Sequence, residues 1–378
     1  MLNQKIKLKK KELKSLLNHL QHIQLTSSFL PDHHNDLSSH EQHILSSIQA
    51  ETNKHNHDNV TRTQAYYDYY IEHPVIHWAL LAHLVSRNTG WNMSDLKGEY
   101  HSNLLSATDQ RAFFDLLERG NWLIFQDAYP QLLLYKHSLQ ENTPYFHLLP
   151  FLHVSSFMTG VWKHFWEKQD SLLLTYGLII NEQHYIEKQL LQSKLVKQNV
   201  LETVEYKLQE MLNLTHILFP AISTEGDKAT LYGQSVFQFS SLPHRIQLGI
   251  RLYNVLFANR KRHSNIMLFT EHRAHTGSRM DYWPDLFDDV KEFPPSKRTK
   301  LWNCHLKKGA APIYSPPLEK AWNCTSHEPA ETDDWFKEYD IASYFSYNAS
   351  IQQVHQTETH CHTLKKLELA SLAKTTLQ

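Results

Sequence analysis

The sequence predicts an all-α protein: a multi-helix globular bundle with a long irregular, proline-rich segment near its C-terminus. Three observations carry that expectation. Apolar and aromatic residues recur at helical spacing, as in Ala65, Tyr66, Tyr69 and Tyr70. Other runs, notably 75–85 and 172–180, are apolar nearly all round, the mark of a helix buried among others. Helix punctuation separates these runs: Thr61-x-x-Gln64 and Ser106-x-x-Asp109 have the form of helix starts, and Gly90 and Gly120 stand where helices would stop.

Residues 1–25 set Lys5, Lys7, Lys9, Lys10, Lys11 and Lys14 against leucines at helical spacing. A basic amphipathic segment can touch acidic lipid or nucleic acid, but this one reads as a helix packed on a partner element. A polar linker over 26–38 and a helix over 39–53 follow. The chain is organised around residues 59–99, expected as two helices and a polar-aromatic turn. The first helix runs to Glu72 and ends at His73-Pro74, because the residue before proline disfavours the α region. Pro74 suits the first position of the second helix, over 74–88. Asn88-Thr89-Gly90 predicts the turn, where Arg87, Asn88, Trp91, Asn92 and Asp95 crowd together. A guanidinium at the end of a buried helix must find carboxylate, carbonyl or ligand oxygens. His73 and His77, four apart, could share a metal, yet no third ligand is spaced to join them, so they read as hydrogen-bonded side chains.

Further along, Gln126 and Asp127 lie inside an apolar run, and Pro130 cannot donate to the Gln126 carbonyl. Asp127 is a candidate partner for Arg87 or Arg119, since a lone buried carboxylate would take up a proton. Short helical pieces over 146–166 put Trp162, Phe165 and Trp166 on a core face, and a long helix from 171 carries Asn181 and Glu182 into the same interior. His184 and Glu187 reverse the order of a di-iron motif and have no second copy, so no metal site is read there. A helix over 194–219, a loop with Gly226 and Gly233 and an amphipathic helix over 243–257 come next. Arg260-Lys261-Arg262 could bind phosphate but reads as a helix end complementing its dipole. His272, His275, Arg279, Asp281 and Trp283 surround Gly277 in a second polar-aromatic turn. Six prolines over 294–329 predict an ordered strap anchored by Trp302 and Trp322. A helix over 335–345 and a polar helical tail close the chain. The expected organisation is a basic, histidine-rich extension (1–57), a helical core (58–290), the strap (291–332) and a C-terminal helix and tail (333–378).

Lysine plus arginine number 38 against 39 acidic residues, so no whole-protein field recruits nucleic acid or membrane. Three cysteines, odd in number and without a CxxC pair, argue against a disulfide framework and against a four-cysteine zinc site. The lysine-rich start lacks the apolar core of a signal peptide, and the run 172–180 is too short to span a bilayer, so a soluble cytoplasmic protein is expected. Of the 27 histidines, many lie in the N-terminal 57 residues (His19, His22, His33, His34, His40, His43, His55, His57) and near the end (His360, His362), in polar segments where they read as surface composition. There is no GxSxG, Walker loop, GxGxxG after a strand or HExxH, and ten glycines leave little material for phosphate-cradling loops.

The stretches TRTQAYYDYY, HPVIHWALLAHLVSRNTGWNMSDLKG, ERGNWLIFQDAYPQLLLY, LIINEQHYIEK and HTGSRMDYWPDLF together resemble the DUF2515, or YppC-like, family of Bacillus and its relatives, catalogued as a domain of unknown function. The resemblance runs from about residue 59 to 287 and on through the strap. It implies an intracellular Gram-positive bacterial protein and brings no activity, cofactor or catalytic residue with it.

Residue chemistry alone therefore carries the candidate site: one buried polar-aromatic pocket built from Arg87, Asn88, Trp91, Asn92, Asp95, Gln126, Asp127, Asn181, Glu182, His275, Arg279 and Asp281. The favoured expectation is a binding or interaction protein holding a small ligand or a partner segment, with satisfied hydrogen bonds and ordinary pKa values in that pocket. A hydrolase-type enzyme with a carboxylate or histidine base is the alternative, and it expects convergence with a carboxylate raised by desolvation. Nucleic-acid association through the two basic patches is disfavoured by the near-neutral charge. No cofactor, metal or ligand can be named from the sequence.

Overall fold

Leu16 and Leu20 are fully buried while Lys10, Lys11 and Lys14 are exposed, so the first helix, α1 (Lys10–Thr26), turns its leucines onto the body of the protein. The computed structural model describes residues 8–26, 37–191, 216–223, 226–236, 238–293, 298–332, 334–338, 341–345 and 354–377. The expected linker over 26–38 lies largely outside them. Next come α2 (Ser39–His55), α3 (Asn59–Glu72), α4 (His77–Asp95), the short α5 (Glu99–Leu104) and the long α6 (Ala107–Gln140). A 3-10 turn over Phe146–Leu152 leads to α7 (Ser156–Lys168), which receives α1, and to α8 (Ser171–Ile186). The α3–α4 pair packs on α6, and α8 packs on α4, α6 and α7. Their shared core is apolar and aromatic, with Tyr66, Trp78, Phe125, Trp162 and Ile179 in one cluster.

The hairpin β1 (His216–Ser223) and β2 (Gly226–Ser235) is antiparallel, pairing His216 with Ser235 and Phe219 with Tyr232. Two helices follow, α9 (Leu242–Phe257) against α8 and α10 (Arg260–His272) against β1. Then come the two-residue strands β3 (Phe287–Asp288), β4 (Leu301–Trp302), β5 (His305–Leu306) and β6 (Ile313–Tyr314), and the helices α11 (Leu318–Ala321), α12 (Ala342–Phe345) and α13 (Thr357–Leu377). The fold is mostly helical, with a few short strands. No helix among the described residues is long and apolar enough to cross a membrane.

Several local expectations are corrected. The cap of α3 is Asp58, whose carboxylate accepts from the Thr61 N–H and hydroxyl, each at 2.8 Å; Gln64 donates forward to Asp68 instead. Residues 74–76 form a turn closed by the Ile76 N–H to the His73 carbonyl, so α4 starts at His77 rather than Pro74. It then runs without interruption to Asp95. The turn expected at 88–90 does not exist. Gly90 sits mid-helix because two buried side chains cross there: a Cβ would collide with Asn59 Oδ1 and lie 2.5 Å from His275 Nε2. Arg87, Asn88, Trp91, Asn92 and Asp95 thus occupy successive turns on one face of a single helix.

Likewise α6 continues through both Gly120 and Pro130. Of the helix expected over 194–219, residues 194–215 lie outside the described residues and 216–219 belong to β1, so the loop expected at Gly226 and Gly233 is strand β2. Trp322 does anchor its segment, stacking on Phe114 at 4.2 Å and donating to the Met93 carbonyl at 2.8 Å, whereas Trp302 is 68% exposed. The helix expected over 335–345 is a 3-10 turn (Trp335–Glu338) and the separate α12. The tail is more than polar: α13 buries Leu364 and Leu367 and packs on α5. It also holds Cys361, disulfide-bonded to Cys304, a bridge not expected from an odd number of cysteines that argued against a disulfide framework.

Candidate functional site

Helix α4 presents its polar face to the loop that follows α10, where Gly277 takes a φ of +81° and lets the chain reverse. Arg279 donates from Nε and Nη2 to Asp95 Oδ2 at 3.0 and 2.7 Å, from Nη2 to Asn92 at 3.0 Å and from Nη1 to the Tyr282 hydroxyl at 3.0 Å. Asp281 Oδ2 accepts from Trp91 Nε1 at 2.9 Å and from the Thr276 N–H at 3.1 Å. Arg87 Nη2 donates to the Arg273 and Ala274 carbonyls at 2.9 and 3.0 Å and stands 3.9 Å from Asp281. Past Gly90 the chain of bonds continues from His275 Nε2 to Asn59 (2.9 Å), from Asn59 to Asn121 (3.2 Å), and from Arg62 to both Asn121 (2.8 Å) and Glu118 (2.5 Å).

Three buried arginines therefore each face a buried carboxylate, which is what keeps such charges tolerable in a core. Burial pushes the Asp281 carboxyl up, but the His275 bond and the Arg87 charge outweigh it and hold the group below the usual range. Burial lowers Arg87 to about 10, with Asp281 opposing. The assembly bolts α3, α4 and α6 to the loop after α10. Seven of the twelve candidate residues meet here: Arg87, Trp91, Asn92, Asp95, His275, Arg279 and Asp281.

The remaining candidates go elsewhere. Asn88 clips β1 onto α4, donating to the Leu218 carbonyl at 2.6 Å and accepting from the Leu218 N–H at 2.8 Å. Gln126 accepts from Asn56 at 3.2 Å. Asp127 pairs with neither Arg87 nor Arg119, and Arg119 donates instead to the Glu328 carbonyl at 2.6 Å. Asp127 Oδ2 accepts from Asn181 at 2.6 Å and Gln131 at 3.0 Å; Asn181 in turn accepts from Ser155 and the Trp335 indole, and Gln131 from the Trp162 indole. These donors are neutral, so burial dominates and pushes Asp127 up to about 7. The twelve residues do not share one hollow, because helices that carry polar groups into a core satisfy them with whichever neighbour is nearest.

Glu182 belongs to a third environment. A cavity of about 670 Å³ opens between α3, α4, α6, α8, α9 and the β1–β2 hairpin, with walls such as Leu81, Val85, Ile124 and Leu252. Trp78 Nε1 donates to Glu182 Oε2 and Gln183 Nε2 to Oε1, each at 3.1 Å. Glu182 is half-buried and lines this cavity. Burial pushes its carboxyl up to about 7, so neither Glu182 nor Asp127 keeps the ordinary value expected of a binding pocket. The candidates Asn88 and Asn92 also line this cavity, whereas sequence reasoning missed Arg245, His216 and Ser235 among its polar groups. Arg245 shares a helical stripe with Leu248, Gly249 and Leu252, a charged residue in phase with an apolar face, which is a readable signal. His216 and Ser235 carried none, since their strands were read as helix and loop.

The two pairs weighed as metal ligands in the sequence make other contacts. His77 Nδ1 meets the Tyr253 hydroxyl at 3.0 Å, and Glu187 holds Arg245 at 2.6 Å. Arg262 turns back onto the Val255 and Asn254 carbonyls at the end of α9, leaving Arg260 and Lys261 exposed. His57, Asp58 and Cys324 bring ligand atoms within 4.8 Å of one another, but Asp58 already caps α3 and bonds His57 at 2.9 Å.

An uncharacterised protein of Bacillus subtilis (strain 168), YppC, is 37% identical over 325 residues, covering 86% of this chain and 93% of that protein. No solved structure matches the chain. The family model described as "Protein of unknown function (DUF2515)" matches residues 54–368, from the end of α2 into α13, and the chain belongs to that family.

Proposed function

We propose that this is a small-molecule-binding protein whose site is the cavity between α4, α6, α8 and α9. One observation carries the reading: a mainly apolar cavity of about 670 Å³ has an ionisable carboxyl, Glu182, in its wall. Pockets of a few hundred to about 1,000 Å³ with few convergent polar groups are the usual small-ligand sites. The buried arginine cluster around Arg279 serves the reading as its frame, since its charged groups are already paired.

The test is binding of a neutral solvatochromic dye, Nile red, to the full chain and to an Ala82→Trp variant that fills the cavity. The expected result is a blue-shifted, saturable signal that the variant loses while its far-UV circular dichroism is unchanged. Equal binding by both proteins, or none by either, rejects the reading.

A hydrolase reading is favoured by a different observation: His216 Nδ1 lies 2.9 Å from Ser235 Oγ in the same wall. His275, expected as a base, is committed to Asn59 and Asp281 instead. Turnover of p-nitrophenyl butyrate that disappears in Ser235→Ala would favour this second reading; the binding reading expects none.

A further inference from the structure

We infer that the cavity takes a cationic amphiphile, an ammonium or protonated amine on an apolar body, with its charge seated at Glu182 beside the Trp78 and Tyr66 rings. The inference rests on the binding reading above and names the chemistry of its ligand. The charges in the wall decide it. Arg245 is matched by Glu187 at 2.6 Å and further bonded to Gln183 (3.0 Å) and the Phe239 carbonyl (2.7 Å), so its charge is already paired within the protein. Burial lowers His216, and its Nδ1 faces the Ser235 hydroxyl. Among the described residues, Glu182 is left as the charge that no cation pairs, its two bonds coming from neutral N–H groups.

A carboxyl so enclosed has two stable states: it keeps its proton, or it gains a cation. The walls beside it suit the second. The Trp78 indole that donates to Glu182 is met edge-on by the Tyr66 ring at 5.4 Å and 89°, and both rings line the cavity. The Tyr66 hydroxyl, within electrostatic reach of Glu182, has no hydrogen-bond partner. Aromatic faces next to a carboxylate attract ammonium groups, more strongly where water is excluded. Leu81, Val85, Ile124, Leu248 and Leu252 can take the apolar body. An anionic head group would meet the Glu182 carboxylate, and among the described lining residues the one arginine is already paired with Glu187.

The same geometry sets a pH dependence. Burial holds the Glu182 carboxyl up at about 7. A quaternary ammonium, whose charge is fixed, favours the ionised form, so its affinity should fall as pH drops through that value.

The experiment is isothermal titration of the full chain with decyltrimethylammonium, decanol and decanoate, each below its aggregation threshold. The inference expects the ammonium to bind about tenfold or more tightly at about pH 8 than at about pH 5.5, following the fraction of ionised Glu182. It expects Glu182→Gln to lose a similar factor for the ammonium and leave decanol binding unchanged. Decanoate binding as tight as the ammonium at pH 8, or ammonium binding blind to both pH and Glu182→Gln, overturns it. The wild-type pH series needs no variant, so the inference stays testable should Glu182→Gln misfold. If decanol and Nile red also fail to bind, the cavity reading itself has failed; if they bind without a preference for the cation, only this inference has.

Discussion

Arg279 and Asp95 stand 184 residues apart in sequence and 2.7 Å apart in space, in a two-bonded ion pair enclosed by Trp91, Asn92 and Tyr282. The pair closes α4 onto the loop after α10. Removing one partner leaves an uncompensated buried charge, so Asp95→Asn should destabilise the protein by about 3–5 kcal/mol. Replacing both, as Asp95→Leu with Arg279→Met, should recover much of the loss. Urea denaturation of the three proteins decides it, and a loss below about 1 kcal/mol for Asp95→Asn would show the pair to be incidental.

Gly90→Ala reverses the sign expected from helix propensity. On propensity alone alanine in mid-helix gains about 1 kcal/mol over glycine. Here the new Cβ enters the space of the His275–Asn59 bond. The expected outcome is a lower melting temperature, with a net loss of about 2 kcal/mol or more from the broken buried bond and displaced rings. A variant that melts higher than wild type would refute this account of Gly90.

The two raised carboxyls make stability fall on the alkaline side. Asp127 and Glu182 titrate near 7 when folded and near 4 when unfolded, so the folded state holds more protons between those values. Stability should therefore decline as pH rises from about 4 to 7 and level off above. Asp127→Asn should exceed wild type at about pH 8 by up to about 4 kcal/mol, three pKa units' worth, and the difference should vanish near pH 4. Asp281 runs the other way. Its carboxyl is held below the usual range, so its stabilisation is complete above about 4 and is lost as pH falls through the folded value. Melting curves of wild type and Asp127→Asn across this range check both signs, and parallel curves would sink the assignment to Asp127.

The Cys304–Cys361 disulfide ties the β4–β5 turn to α13 across 57 residues of chain. Closing a loop of that size stabilises by about 4 kcal/mol in the chain-entropy account. Dithiothreitol should lower the melting temperature of wild type and leave a Cys304→Ser, Cys361→Ser double variant unmoved. Equal melting with and without reductant would mean that the bond contributes nothing.

Much that depends on neighbours a turn away was readable from the chain. The extent of α2, the end of α3, the interior placement of Asn181 and the Ser106 cap of α6 follow from helical spacing and cap chemistry, which act over three or four residues. The polar residues of α4 and those around Gly277 could be singled out because charge and amide groups among apolar ones stand out in any such pattern. That Arg279 would find Asp95, while Asp127 would find only amides, was not there to read. Glycine at position 90 looks the same whether it ends a helix or lets two side chains pass across one, and the difference lies in residues 59 and 275. The cavity, the β1–β2 pairing and the disulfide are of the same kind. They arise where segments far apart in sequence pack together, and burial then fixes which polar groups are paired and which, like Glu182, are left facing a cavity.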